Sequence, residues 1–349
     1  MMADISLRVA GGTIGGWTEV TYRDALDSLS PELELAHVDL GAAPAPFVDR
    51  FVRAGDAFEA FVGGELLFAG FVDAATVRYS ASSHSLEVRA RSRTADLIDC
   101  SAVQKSWAGA TISKIANVLC APYGIRVSVA LGADEGAPFA RFATEVGETI
   151  FDALNRAARM RGLLLRSSPR GDLVIGSPRV VSGSRLQLGL NILEAEFSDD
   201  VSQRYSDYAC VAQIEGTSEA FGSSAANIRA TSRDPSVRTR ALTLQVEGES
   251  AGILKKRALW EARSRASKSR GYTVTVLGWH RADGTLWRPG LMVDVVDPWA
   301  SIEQALLVTK VELSKGLTGT KARLELKGEH AYDPEPLAPA KPKSGGLDQ

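Results

Sequence analysis

Short stretches of strict apolar–polar alternation dominate the chain from its start to about residue 100. Ile5, Leu7 and Val9 alternate with polar neighbours, Leu33 and Leu35 follow Pro31, and Phe58, Ala60 and Val62 follow Gly55-Asp56. Gly63-Gly64 supplies the residue types of a hairpin turn into LLFAGFV. Further on, Leu86, Val88 and Ala90 point to one face while Glu87, Arg89 and Arg91 point to the other. A period of two buries one side of each strand and solvates the other. Closely spaced short strands of this kind predict a small antiparallel barrel or sandwich over residues 1–103.

The period changes near Thr94. Ile112, Ile115, Ala116 and Leu119 fall at helical spacing, Pro122-Tyr123-Gly124 stops that helix, and IRVSVAL reads as a strand. A second helix is predicted from Thr149 to Arg161, with Ile150, Leu154, Ala157 and Ala158 as its buried stripe and Gly162 at its C-cap. LLLRS and DLVIG then form a hairpin around Pro169-Arg170-Gly171. Residues 104–184 therefore read as a small mixed α/β domain. Strand patterns return over 185–333, with a helix near 250–269 and strands at 272–279, 291–296, 305–313 and 321–327. Segment 216–236 is small and polar and predicts a long exposed loop. The Pro-rich stretch 334–349 predicts a disordered tail or extended linker. The fold class is thus mainly β with an α+β insertion: two small antiparallel β-barrel domains plus a small mixed α/β domain.

The two strand-rich parts share an order of features. Gly55-Asp56, alternating Phe58-Ala60-Val62, LLFAGFVD and SLEVRARS in the first correspond to Pro289-Gly290, alternating Leu291-Val293-Val295, ALLVTKVEL and KARLELKG in the second. Either one barrel has been duplicated or both segments follow generic β-patterning.

Composition narrows the function classes. The 349 residues are 45% hydrophobic and 23% charged, enough apolar material for more than one core, and the net charge of -2 creates no global attraction to nucleic acid or anionic membranes. Cys100, Cys120 and Cys210 are too widely spaced for a disulfide framework or a zinc pattern and read as buried free thiols. The start MMADISLRV has no signal-peptide pattern, and no apolar run approaches the ~20 residues of a membrane span. The expectation is a soluble chain folded in a reducing compartment.

Catalytic chemistry finds no support. His37, His84, His280 and His330 are isolated, and HExxH, CxxC, GxSxG and phosphate-binding glycine loops are missing. The carboxylate pairs Asp199-Asp200 and Glu194/Glu196 meet a glycosidase's minimum, but such pairs are common on exposed strands and turns. No catalytic residue, cofactor site or metal site is assigned. Arg170-Gly171-Asp172 spells an adhesion tripeptide, yet a turn between two strands calls for these residue types anyway.

The predicted helix near 250–269 is unusual. Ala251, Leu254, Ala258, Ala262 and Ala266 form a narrow stripe suited to close packing on a sheet, while Lys255, Lys256, Arg257, Arg263, Arg265, Lys268 and Arg270 surround it, with Glu261 opposing them. The face is a solvated one, a protein interface or a nucleic-acid contact. Lys255, Lys256, Trp260, Arg263 and Arg270 are the candidate interface residues, Trp260 as an anchor or as a residue folded back on the barrel. Trp279 and Trp287 flank an Asp283-Gly284 turn, which reads as a hairpin packed into a core, or alternatively as a stacking platform.

Several long blocks carry a family resemblance: ALWEARSRASKSR followed by YTVTVLGWHRADGTLWRPGLMVDVVD, ARSRTADLIDCSA at 90–102, and TISKIANVLCAPYGI followed by GETIFDALNRAARMRGLLLRSSPRGDLVIG. In these blocks, which span about 5–330 in order, the chain resembles the late control D / phage Mu P-like baseplate hub proteins of contractile tails. The Gly147-Glu148-Thr149 through Leu164 block matches the family's recurring pattern. The resemblance implies a structural hub subunit of the virion tail baseplate, assembled in the host bacterial cytoplasm. It implies a homotrimer whose six similar barrels form a pseudo-sixfold ring, joining a hexameric tail tube to a trimeric central spike and contacting other baseplate proteins. DNA would pass without specific binding, and there would be no stable membrane association. The competing expectation is a tail-tip cell-wall hydrolase or peptidoglycan-binding module.

Overall fold

A computed structural model describes residues 5–9, 12–39, 52–80, 84–177, 179–213, 227–246 and 251–336. The first part contains β1 (Ile5–Val9), β2 (Gly12–Ile14), β3 (Glu19–Ala25), β4 (Glu32–Asp39), β5 (Ala57–Val62), β6 (Glu65–Tyr79) and β7 (His84–Ser92). Their hydrogen-bonded order is β2-β1-β5-β6-β7-β4-β3, antiparallel throughout. The alternation seen in the sequence sets the faces: Leu7, Ala60, Leu86 and Val88 are buried, and Phe68 packs on Phe58 and Tyr22 at ring-centroid distances of 5.1 and 5.4 Å.

The insertion comprises α1 (Ala95–Asp99), β8 (Ser106–Trp107), α2 (Ile112–Cys120), β9 (Val127–Val129), β10 (Phe142–Ala143), α3 (Ile150–Arg159), β11 (Leu164–Ser167) and β12 (Leu173–Gly176). Thr149 caps α3 by accepting from the Asp152 amide at 3.0 Å, and Gly162 follows the helix in the left-handed region at φ 68°. This layer has its own core, which includes Leu97 and Ala102. It therefore starts with α1 near residue 95, earlier than the 104 read from the sequence, because the apolar side of α1 faces α3. The Pro169–Gly171 turn locks the insertion to the first part: Ala69 donates its amide to the Pro169 carbonyl at 2.8 Å.

The remaining elements are β13 (Val180–Gln187), β14 (Ile192–Asp199), β15 (Asp207–Gln213), β16 (Asn227–Arg233), β17 (Ala241–Gln245), α4 (Ala251–Ser269), β18 (Arg270–Leu277), β19 (Leu291–Asp297), β20 (Ile302–Gly316) and β21 (Gly319–Lys327). Six of these strands run in the order β14-β18-β21-β20-β19-β13, which reproduces β3-β4-β7-β6-β5-β1 strand for strand. The likeness extends to detail. β6 and β20 are both 15 residues long, and each has a bulge against its neighbour, at Asp73 and at Thr309. One difference is an orientation: β1 is antiparallel to β5, whereas β13 is parallel to β19, so the second unit is not wholly antiparallel.

The two units are not separate sheets. β3 pairs with the second half of β20, Arg23 opposite Glu312 and Tyr22 opposite Leu313, so one ladder runs from β14 to β2. Val20, Tyr22, Val311 and Leu313 are all buried at this joint.

Three sequence expectations change in the last part. β15, β16 and β17 form their own three-stranded sheet under α4, outside the second barrel-like ladder to which residues 185–333 were assigned as a whole. The cause is the small side chains of the helix stripe, which pack on this sheet. Asn227–Arg233 is a strand within the stretch read as an exposed loop, because its backbone pairs with β15; residues 216–226 of that loop lie outside the described residues. Pro334–Pro336, read as the start of a disordered tail, are placed by ion pairs from Glu335 to Arg159 and Arg257, while 337–349 lie outside the described residues.

Candidate assembly surface

Helix α4 lies across β15 and β16 and buries Leu254 and Ala258 against Cys210 and Ala212. Glu261 is buried on the same helix. Its carboxylate accepts from Arg257 at 3.0 Å on one side and from Arg265 at 2.7 Å on the other. Two guanidiniums around one desolvated carboxylate satisfy a charge that burial alone would make costly. Arg257 also pairs with Glu335, and Arg265 donates to the Gln203 carbonyl at 3.1 Å. Both arginines are thus internal struts and leave the cationic face.

Trp260 is likewise committed within the chain. Its Nε1 donates to the Asp333 carbonyl at 2.6 Å, with Arg257 and Lys268 over the ring at 5.1 and 6.0 Å. Burial, followed by the nearby Lys327 and Arg265 charges, lowers the affinity of Lys268 for its proton. Of the two readings of Trp260, an interface anchor or a residue folded back on its own chain, the observed contact is of the second kind: it clamps the segment after β21. Lys255, Lys256 and Arg263 remain exposed. Lys256 and Arg263 border a groove of about 600 Å³ between α4 and the insertion, whose walls also hold Arg161, Arg179 and Leu259. Arg270 is apart from them, exposed at the start of β18 and 3.8 Å from Asp199.

Other sequence candidates resolve into structure. Trp279 and Trp287 are buried, and Trp279 Nε1 donates to the Ser314 carbonyl at 3.0 Å, so the hairpin between β18 and β19 is core, not a platform. In the Arg170-Gly171-Asp172 turn, the Asp172 carboxylate is held by Arg126 at 3.0 Å. Glu148 of the Gly-Glu-Thr block pairs with Arg156 at 2.9 Å across the start of α3, which explains the block as local scaffolding. Cys120 and Cys210 are buried and Cys100 is only half-buried; all three are free thiols, and burial pushes Cys120 up to about 12. Among the described residues no group of three or more His, Cys, Asp and Glu is placed to hold a metal ion, and no helix is long and apolar enough to cross a membrane.

The sequence reading missed the Asp333–Glu335 strap and the partners it binds. The available signal was the acidic run HAYDPE, directly after the last alternating strand of a chain with an over-cationic helix.

Comparison with known proteins agrees with this scaffold. Residues 4–92 match the family profile for the N-terminal domain of Mu phage baseplate assembly protein GpP-like proteins, 94–177 the second domain of baseplate hub protein gp44-like proteins, and 250–335 the fourth domain of GpP. The chain is 33% identical over 342 residues to the baseplate hub protein gp44 of Escherichia phage Mu, covering 93% of this chain and 88% of that one. The chain belongs to the phage Mu P-like baseplate hub family. Two solved structures are also similar. The 43 kDa tail protein of prophage MuSo2 from Shewanella oneidensis is 30% identical with a TM-score of 0.83, over 95% of this chain and 100% of that one. A tail protein from Neisseria meningitidis is 24% identical with a TM-score of 0.77, over 96% and 99%. As a member of the baseplate hub family, the chain is a structural component of a phage tail baseplate and not an enzyme.

Proposed function

We propose that three copies of this hub protein close into a ring on the tail axis, joining a hexameric tube to a trimeric central spike and leaving a passage for DNA. The observation that carries this reading is the repeated strand order, β3-β4-β7-β6-β5-β1 and β14-β18-β21-β20-β19-β13. A closed cyclic assembly repeats each interface identically. Three chains with two like units each offer six similar faces to a sixfold partner while keeping true threefold symmetry for the spike. A net charge of -2 suits a passage that phosphates cross without being held. Assembly takes place in the host bacterial cytoplasm.

The exposed cations Lys255, Lys256 and Arg263 are the candidate docking face for a neighbouring baseplate protein, with Arg270 as a separate, weaker candidate on β18. Trp260 supports that face from beneath by fixing the 333–335 strap. Light scattering coupled to size exclusion tests the ring: three chain masses are expected. A monomer at high concentration that also fails to bind the spike protein from the same gene cluster would overturn it.

A further inference from the structure

The internal joint has two equivalents that are left open. Superposing the ladders by their registers makes Val72, opposite Ala90, the counterpart of Val308, opposite Leu326. The part of β6 from Ala74 to Tyr79 then corresponds to Lys310–Lys315, the part of β20 that pairs with β3. On the other side, Leu33 opposite Ala90 matches Tyr272 opposite Leu326, so Tyr22 of β3 corresponds to Phe197 of β14.

At the closed joint Tyr22 and Leu313 are 1% and 0% exposed. At the open counterparts Phe197 is 39% exposed, Ala195 is exposed, and Ala75 and Val77 are only half-buried although they face the same core. Among the described residues, Glu194–Asp199 of β14 pair with β18 alone, and Ala74–Tyr79 pair with β7 alone. Each is, among the described residues, a sheet edge whose apolar side chains have no covering strand.

The geometry points to these two edges as the two halves of one intermolecular seam: β14 of one chain adds to the end of β6 in a second copy, antiparallel, in the register of the β3–β20 joint. Transferring that register places Phe197 opposite Val77, Ala195 opposite Tyr79 and Glu196 opposite Arg78. The last pair supplies charge complementarity on the outer face. Arg323 stands 3.8 Å from Glu196 within its own chain, so the carboxylate would sit between two guanidiniums. Tyr79, 82% exposed in the single chain, gains a partner strand. The seam is head-to-tail, since its halves lie on different units, and repetition makes every joint around a ring alike, internal and intermolecular. The inference rests on the ring reading above and supplies its contact.

The test uses the full chain carrying E196C and R78C together. Directly opposed residues in antiparallel strands lie within disulfide reach, at roughly 4.5–5.5 Å between Cα atoms. Mild oxidation is expected to give covalent dimers and trimers on a non-reducing gel, while either single variant stays at one chain mass. E196R and R78E should each lose the trimer, and E196R/R78E should regain it, with circular dichroism showing that the single variants are folded. Each single variant also loses an intrachain partner, Arg323 or Glu87, so the double variant's recovery of the trimer is the deciding readout. A protein that is trimeric by mass yet remains uncrosslinked in the double-cysteine form overturns the seam and leaves the ring standing. A protein monomeric at every concentration overturns both.

Discussion

Tyr22 and Asp24 lie two residues apart on β3, and the Tyr22 hydroxyl donates to Asp24 Oδ2 at 3.1 Å. This strand is the one that welds the two ladders. Burial pushes the Asp24 carboxyl up to about 6, against the opposing pull of the Tyr22 hydrogen bond and the Arg288 charge. Unfolding returns it to the ordinary value near ~4. Between about pH 4 and 6 the folded chain therefore holds a proton that the unfolded chain has released, and stability from this group falls as pH rises through the window. Two pH units correspond to at most roughly 3 kcal/mol. Asp24→Asn keeps an acceptor for Tyr22 and removes the titration. It should gain about 1–2 kcal/mol over the parent at pH 7 and match it near pH 4. Urea midpoints at the two pH values check this; parallel curves for both proteins would contradict it.

Glu261 makes a sharper stability prediction. Its side chain is 5% exposed and its two partners are 15% and 26% exposed. Removing one member of a buried ionic cluster leaves the others desolvated and unpaired, at about 3–5 kcal/mol for a fully buried pair. Partial exposure of Arg265 lowers the expected cost of Glu261→Ala to about 2–4 kcal/mol. Chemical denaturation should show the loss, while Lys255→Ala on the same helix stays within about 0.5 kcal/mol of the parent.

Two glycines sit where neighbouring atoms leave no room for a side chain, Gly70 between β6 and β7 of the first ladder and Gly171 where the insertion meets that ladder. A Cβ on Gly70 would stand 1.8 Å from the Arg91 carbonyl oxygen, a backbone atom that has nowhere to go. One on Gly171 would meet Arg93 Cβ at 2.8 Å with the residue at φ 73°. Gly70→Ala is expected to cost upwards of about 3 kcal/mol and to lower soluble yield; Gly171→Ala should cost about 1–3 kcal/mol. Melting temperatures of the two variants, ranked against the parent, give the comparison.

Trp260→Phe keeps an aromatic ring, though a smaller one, and deletes the donor to Asp333. We expect the segment after β21 to become the earliest site of limited proteolysis, with a stability loss of about 0.5–1.5 kcal/mol. Unchanged cleavage kinetics would show that the Glu335 ion pairs suffice to hold the strap.

Replacing Lys255, Lys256 and Arg263 together by Glu separates docking from folding. All three are exposed, so unfolding should stay near that of the parent while incorporation into tails drops at least tenfold. Normal incorporation would reduce the surface to a solvated face.

The ladder strands were legible because period-two alternation survives wherever one face is buried, as at Leu86, Val88 and Ala90. Helices α2 and α3 were legible from their spacing and from Thr149 and Gly162. The β15–β17 sheet was not, because Asn227–Arg233 carries small and polar residues whose strand state depends on pairing with β15. The β3–β20 joint was hidden for another reason: pairing between segments 289 positions apart leaves no local trace, even where Arg23 meets Glu312 at 3.0 Å. On the surface, the excess of cations on α4 was visible. Which of them are struts was not, since Glu335, the partner of Arg257, lies beyond the last strand in a stretch whose prolines suggested an extended chain.

That joint also bears on how the protein is made. A ribosome delivers β3 long before Lys310–Lys315 exist, so the nascent chain carries Val20 and Tyr22 on an uncovered strand edge through most of its synthesis. Pairing so distant is slow to form and exposes the edge to aggregation meanwhile. Chains interrupted before β20 would stay in that sticky condition permanently, which ties the solubility of this protein to completing translation, not to any single early-folding unit.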